Sequence, residues 1–454
     1  MRASEEEIQE LATALGEKFT TDETTIRPYM RDQSWMVPEG TPIGAVFAQS
    51  AQDVSTALKW ANAHKVPVSV RTGGSGLAGG AVSYADGLII SLDKMNRILE
   101  INPENSYAIV EPGIINEEFN RQLGLEGYFF APDPASASIA TIGGNIATNA
   151  GGLRAVSYGV TIDWVKGLEV VLADGRIIHT GSKTIKNVSS LNLTQLFVGS
   201  EGTLGVVTQA TVKIERLPEH EPYTFLASFD SIEDAGYATI AMRDSDNRPV
   251  SLELIDAFTV DLVNKRHPDM QVPQPGAALL LGQTLGENAE EQANTMAELC
   301  KEFGASETHV EKGNDLLAVR RDAYPALQDA GMPVIGDVSV PIASLAEVIQ
   351  GIEELSQKYN RRVAIIGHAG DGNLHPIVQC GEGLEESAAA EALLDEIVKM
   401  AIEPGGVISG EHGIGYLKRH DLPEMLSQDV IDVQRSIKNA LDPNNILTPG
   451  RKVY

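Results

Sequence analysis

The chain has 454 residues, 43% of them hydrophobic and 22% charged, and a formal charge of −28. That length exceeds one ordinary core, so two or three domains are expected, and the scattered acidic excess argues against nucleic acid or an anionic membrane as an electrostatic partner. No run is apolar enough to span a bilayer, MRASEEEIQE lacks the order of a secretory signal, and Cys300 and Cys380 form no CxxC, so the protein reads as cytoplasmic or at most peripheral at a membrane, with any metal held by His, Asp and Glu.

Ser50 to His64 is the first clear helix: Ser50 can cap it, and Val54, Ala57, Leu58 and Ala61 form one apolar face. A strand over Val66–Val70 runs straight into RTGGSGLAGG. That loop satisfies GxGxxG, but GAVSYADGLIISL leaves no room for the helix that a Rossmann site requires, and no Gly-Lys-Ser/Thr follows for a Walker A loop. Its small residues can still expose backbone N–H groups to an anion, with Arg71 and Thr72 beside them. Strands are expected over Leu88–Leu92, Ile98–Ile101 and Ala108–Glu111, and LEVVLADGRII reads as a hairpin turning at Asp174-Gly175. Two more glycine-rich loops follow, TIGGNIATNAGG from Thr141 and GSEGTLG from Gly199. Taken singly each reads as tight turns; three together point to a large diphosphate ligand.

In order and spacing, VPVSVRTGGSGLAGG, DPASASIATIGGNIATNAGG, the following Tyr158-Gly159 and LFVGSEGTLGVVT resemble the FAD-binding loops of flavoproteins of the vanillyl-alcohol oxidase fold. Within that fold they are similar to the FAD-linked D-2-hydroxyacid dehydrogenases, which include D-lactate, glycolate and D-2-hydroxyglutarate dehydrogenases. The resemblance runs from about Tyr29 to Arg451. It implies an α+β protein with a PCMH-type FAD-binding domain of two α/β subdomains over 1–217. An α/β cap domain with an antiparallel sheet would span 218–405, and a C-terminal segment, 406–454, would carry GEHGIG back to the FAD domain. The resemblance further implies that Arg71, Thr72, Gly73, Gly74, Ser75, Gly76 and Leu77 cradle the FAD pyrophosphate. Pro132, Asp133, Thr141, Gly144, Asn145, Thr148, Gly151, Gly159, Glu201 and Gly205 would complete the cofactor site, with Val206 and Val207 offering backbone groups. RTGGSGLAGG contains neither His nor Cys, so the FAD is expected to be non-covalent.

From Leu217 strand-like runs (TFLASF, PVSLELI, AALLLGQTL, DVSVP, RVAIIG) alternate with helix-like ones (ENAEEQANTMAELCKEFG, ASLAEVIQGIEELSQKYN), an α+β pattern. Arg362–Gly367 reads as a strand, AGDGN as a turn and Leu374–Val378 as the returning strand, which brings His368 and His375 to one hairpin mouth. These two alone leave a metal site and idle surface histidines both open. GEHGIG adds Glu411 and His412, and two imidazoles with a carboxylate suit Zn²⁺ first, with Mn²⁺ or Fe²⁺ as alternatives. The resemblance assigns the same roles: His368, His375 and Glu411 as metal ligands, His412 as the base.

Arg320, in NDLLAVRRDAYPAL, matches the arginine with which that family binds the substrate carboxylate, while Arg321 would point elsewhere on a helix. Three positions depart from the D-2-hydroxyglutarate enzymes: a lysine is replaced by Ile335, an asparagine by Ile377 and a threonine by Tyr324. The pocket is therefore expected to prefer a monocarboxylate, because a second carboxylate buried against isoleucine has no partner. ILTPGR replaces the usual ILNPGK at the tail. The chain thus reads as an FAD-dependent, metal-assisted oxidoreductase for a small D-2-hydroxy acid, D-lactate first and glycolate or a similar monocarboxylate next. D-2-hydroxyglutarate or D-malate as substrate, with Tyr324 holding the far carboxylate, and a non-catalytic FAD-binding subunit of a glycolate-oxidising complex remain as alternatives. Quinone, cytochrome, electron-transfer flavoprotein and O₂ stand open as electron acceptors, and a homodimer is compatible with all of this.

Overall fold

Ser50 accepts a hydrogen bond from the Asp53 amide and opens a helix, Ala51–His64, that stops where Lys65 turns left-handed at φ 53°. The Val66 amide folds back onto the Ala61 carbonyl and Pro67 follows, so the next strand starts at Val68, two residues later than its apolar run indicates. The computed structural model describes residues 3–269, 272–381 and 383–453. The chain divides into two compact units. One comprises Met1–Gly151, Gly159–Leu217 and Glu411–Tyr454, and the other Gly152–Tyr158 and Pro218–Gly410.

The first unit holds two main sheets. One contains β1 (Phe19–Thr20), β2 (Gly44–Phe47), β3 (Val68–Arg71) and β4 (Leu88–Ser91) in the order β1-β2-β4-β3, with β2, β4 and β3 parallel. No helix lies between Arg71 and Leu88, in keeping with the exclusion of a Rossmann site. The other contains β5 (Ile98–Asn102), β6 (Tyr107–Val110), β8 (Val165–Val171), β9 (Ile177–Gly181) and β10 (Val206–Lys213), all antiparallel in the order β5-β6-β10-β8-β9. A small ribbon pairs β7 (Tyr128–Phe129) with β11 (Glu215–Arg216). The expected β8–β9 hairpin closes with Val171 opposite Ile177.

One expectation needs correcting. TIGGNIATNAGG, read as a loop, forms a short helix, Ile142–Thr148, because Thr141 Oγ1 caps the Gly144 amide and Asn149 ends it at φ 57°. Glycine serves packing here: a Cβ on Gly143 would lie 2.5 Å from the Pro112 side chain. At the tail, Leu447 bridges Val68 and the Thr448 amide donates to the Val68 carbonyl, while Arg451, 2% exposed, donates to the carbonyls of Gly80 and Val82. Lys438 is equally buried and donates to Asp442 at 2.5 Å and to the Thr203 and Leu447 carbonyls, so two buried cations anchor the closing segment in this unit.

The second unit is built on one antiparallel sheet: β12 (Tyr223–Phe229), β13 (Ser251–Asp256), β14 (Ala278–Thr284), β15 (Ala305–Lys312), β16 (Met332–Ile335), β17 (Val338–Ser339), β18 (Val363–His368) and β19 (Asn373–Cys380). The order is β15-β12-β14-β13-β18-β19-β16, with β17 also on β19. Strand alternation puts Leu226, Ile255, Leu279, Leu281, Ala364, Ile366 and Ile377 on one face, where they form an apolar cluster with the helices Ala257–Arg266 and Leu317–Ala330. The hairpin β18–β19 is tight: His368 pairs with Asn373 and Ile366 with His375. The turn is shorter than AGDGN, since Asn373 already belongs to β19, and Gly372 adopts φ 83° there.

Candidate functional site

In the first unit the glycine-rich stretches converge. β3 delivers Arg71 to the start of RTGGSGL, where its guanidinium lies 5.5 Å from the centre of the Tyr29 ring. Thr72 and Thr141 are hydrogen-bonded through their hydroxyls at 2.6 Å. Gly73 approaches the Ile139 carbonyl so closely that a Cβ would sit 2.3 Å from it, and Gly74 adopts φ 68°, so both must lack a side chain. The Gly76 carbonyl accepts from the Gln33 amide; Ser75 and Leu77 complete the loop. Asn145 and Thr148 lie on the capped helix. Asn145 is 2% exposed, and its Nδ2, like Arg71 Nε, is buried with no hydrogen-bond partner.

The remaining loop residues surround this group more loosely. Pro132 and Asp133 follow β7, the Pro132 carbonyl accepting from Asn116 Nδ2 at 2.8 Å. Gly151 ends one segment of the unit, and Gly159, at φ 74°, opens the next. Gly205 packs on Val170, and Val206 and Val207 begin β10 opposite Val171 and Val170. Glu201 has a different occupation: its carboxylate accepts from the amides of Ile414 at 2.8 Å and Gly415 at 2.7 Å and pairs with Lys452 at 3.1 Å. It thereby holds the GEHGIG segment, in which Glu411 and His412 are half-buried.

In the second unit, His368 and His375 are 3% and 4% exposed, so they are core residues of the sheet rather than surface histidines. Their ring centres lie 5.4 Å apart and the rings are nearly perpendicular. His368 Nδ1 is 2.8 and 2.9 Å from the two oxygens of Glu253, which has no exposed surface, and Arg320 Nε donates to the same carboxylate at 2.7 Å. Burial alone would raise the Glu253 pKa; its interactions with His368 and Arg320 outweigh it and hold the carboxyl below its ordinary value. Behind His375, Asp337 Oδ1 lies 3.8 Å from Nδ1, while Asp337 Oδ2 accepts from Ser409 Oγ at 2.6 Å. Gly410 packs on the Asn373 amide, where a Cβ would lie 2.5 Å from Oδ1.

Arg320 and Arg321 separate as helical geometry requires: Arg320 is 7% exposed on the sheet side and Arg321 faces solvent. Ile335 and Ile377 are directly paired across β16–β19. Ile377 is fully buried in the apolar cluster, against which Tyr324 and Ile335 pack, and burial raises the Tyr324 phenol's pKa.

Two family models cover most of the sequence: an FAD binding domain at residues 42–181 and the C-terminal domain of FAD linked oxidases at 217–452. The chain belongs to the FAD-linked oxidases. A glycolate oxidase subunit GlcD of Bacillus subtilis is 38% identical over 421 residues, covering 91% of this chain and 89% of the relative. A D-lactate dehydrogenase of Archaeoglobus fulgidus is 38% identical over 413 residues, covering 90% of each. Among solved structures, p-cresol methylhydroxylase superposes with a TM-score of 0.80 at 19% identity, over 98% of this chain and 96% of that one. A 4-ethylphenol oxidase from Gulosibacter chungangensis gives 0.79 at 18%, over 99% and 97%. These likenesses place the oxidase in the vanillyl-alcohol oxidase (PCMH-type) α+β fold.

The first unit fits the flavin nucleotide of such an oxidase. Two side-chain-free approaches at Gly73 and Gly74, a capped helix start at Thr141 and the orphaned donors of Asn145 and Arg71 together make an anion-accepting cradle. Sequence reasoning missed Glu253 and Asp337 as members of the second group. A signal for the first exists: SLELI puts one acid in the middle of an otherwise apolar strand. Among the described residues no helix is long and apolar enough to cross a membrane.

Proposed function

We propose that this FAD-linked oxidase oxidises a small D-2-hydroxy monocarboxylate, D-lactate before glycolate, to the 2-oxo acid, with FAD held by the loops of the first unit. His368, His375 and Glu411 are proposed to hold a divalent metal, Zn²⁺ first. When bound, the flavin supplies a hydride acceptor at N5 and the metal a Lewis acid at the substrate hydroxyl.

The observation that carries the reading is the buried trio of His368, His375 and Arg320 on one face of the second unit, in a chain whose first unit fits FAD. His368 has a carboxylate, Glu253, at hydrogen-bond distance from Nδ1, as metal-ligating histidines commonly do, whereas Asp337 lies 3.8 Å from Nδ1 of His375, outside that distance. Glu411 follows directly in sequence on Gly410, the last residue of the second unit, and is assigned to the metal by the resemblance. Arg320 binds the substrate carboxylate through its Nη pair. His412 accepts the hydroxyl proton, the role of general base that an imidazole most often fills. Ile335, Ile377 and Tyr324 bound the side of the pocket beyond the reacting carbon and offer no cation to a second carboxylate.

The test is kcat/KM for D-lactate against D-2-hydroxyglutarate, together with His412→Ala. D-lactate is expected to win, and the variant to keep its flavin spectrum while losing reduction by substrate. Preference for D-2-hydroxyglutarate would move the substrate to the dicarboxylates; normal flavin reduction without His412 would remove the base. The name of the Bacillus relative, a glycolate oxidase subunit, favours a second reading in which the chain acts within a glycolate-oxidising assembly. Bleaching of the purified chain's flavin by D-lactate would exclude a purely non-catalytic part there.

A further inference from the structure

Glu253 is the most deeply buried carboxylate near the proposed reaction, and it touches two of the residues assigned to it. Both of its oxygens face His368 Nδ1, at 2.8 and 2.9 Å, and Oε2 also accepts from Arg320 Nε at 2.7 Å. We propose that Glu253 is a positioning residue whose single carboxylate sets both which ring nitrogen His368 offers to a metal and how the Arg320 guanidinium is turned toward the substrate carboxylate. The proposal rests on His368 as a metal ligand and Arg320 as the partner of the substrate carboxylate.

An ionised carboxylate only accepts hydrogen bonds, so the imidazole nitrogen that faces it carries the hydrogen. With Nδ1 protonated, Nε2 keeps the lone pair that a metal requires. Arg320 meets the same carboxylate through Nε, at the stem of its fork, which leaves the Nη pair directed away from Glu253 for a bidentate partner. The arrangement is rigid: β13 and β18 are antiparallel, with Leu254 opposite Gly367, so the next ladder step puts Glu253 opposite His368. The competing view is that Glu253 merely neutralises Arg320, and it makes no claim on the His368 tautomer. In Glu253→Gln the single oxygen can still occupy the Oε2 position between His368 Nδ1 and Arg320 Nε, but the NH₂ then takes the Oε1 position 2.8 Å from Nδ1 and sets a donor against the Nδ1–H tautomer.

The experiment measures Zn²⁺ affinity of the FAD-containing protein by competition with a chelating dye, for wild type, H368A, E253Q and E253D, alongside KM and kcat for D-lactate. In E253Q the Zn²⁺ affinity should fall about 10- to 100-fold, KM should rise and FAD content should stay unchanged, with E253D recovering part of the Zn²⁺ affinity. A folded E253Q with wild-type Zn²⁺ affinity would overturn the proposal. Wild type that binds no Zn²⁺, or H368A that loses none, would instead overturn the metal reading and the proposal with it. Should E253Q fail to fold, ¹⁵N imidazole resonances of the zinc-free wild type, assigned with H368Q, carry the test: Nδ1–H on His368 is expected, and Nε2–H with a bare Nδ1 would refute the positioning role.

Discussion

Arg320 and Arg321 are neighbours in sequence and opposites in environment, one fixed by a buried carboxylate and the other facing solvent. That contrast supplies a control. Arg320→Lys should lower kcat/KM for D-lactate about 10- to 100-fold, the range set by losing a hydrogen bond to a charged group worth about 1.5–3 kcal/mol, and it should raise KM as well as lower kcat because an ammonium cannot bind bidentately. Arg321→Ala should leave steady-state kinetics unchanged, and equal losses in both variants would remove the assignment. Glu253 also makes an acid-stability prediction. Its folded pKa lies below its unfolded value of about 4.3, so it contributes stability that is fully present above that pH and is lost as pH falls through the folded value. Denaturant unfolding between pH 6 and pH 3 should therefore show an acid limb in wild type that is flatter in Glu253→Gln.

At the scale of elements, two features carry the proposed specificity and cofactor binding. The paired isoleucines Ile335 and Ile377 leave the β16–β19 edge without a cation. Ile335→Lys, at a half-buried position, should shift the ratio of kcat/KM toward D-2-hydroxyglutarate by at least tenfold, and an unshifted ratio would show that the far end of the substrate lies elsewhere. Thr141 both caps the helix Ile142–Thr148 and bonds Thr72. Thr141→Ala should cost about 1 kcal/mol through the lost cap and weaken FAD binding in a titration of the apoprotein. Local patterns make many of these elements readable from sequence: the Ser50 cap, the Asp174-Gly175 turn and the histidine hairpin each carry their signal within a few residues. The helix at Ile142 is not readable in that way, since its glycines argue for a loop and only the distant Pro112 explains Gly143. SLELI marks Glu253 as a buried acid but hides its partner, because His368 lies 115 residues away and no local pattern reports that contact.

At the scale of the molecule, the two units divide the proposed labour along a chain that passes between them more than once. The FAD loops belong to the first, and Arg320, His368 and His375 to the second. The division falls between Gly410 and Glu411, so the proposed metal carboxylate and base are the first two residues of the returning segment. Glu201 then secures that segment through Ile414 and Gly415, and Lys438 and Arg451 anchor the rest of the tail. In the proposed function, substrate electrons reach the flavin with the help of a metal. The most direct measurement is anaerobic titration of the flavin absorbance with D-lactate, before and after treatment with a chelator. The account predicts full bleaching at one equivalent of two electrons per flavin in the untreated protein, none with L-lactate, and loss of D-lactate bleaching after chelation that Zn²⁺ restores. Undiminished bleaching after verified metal removal would contradict it.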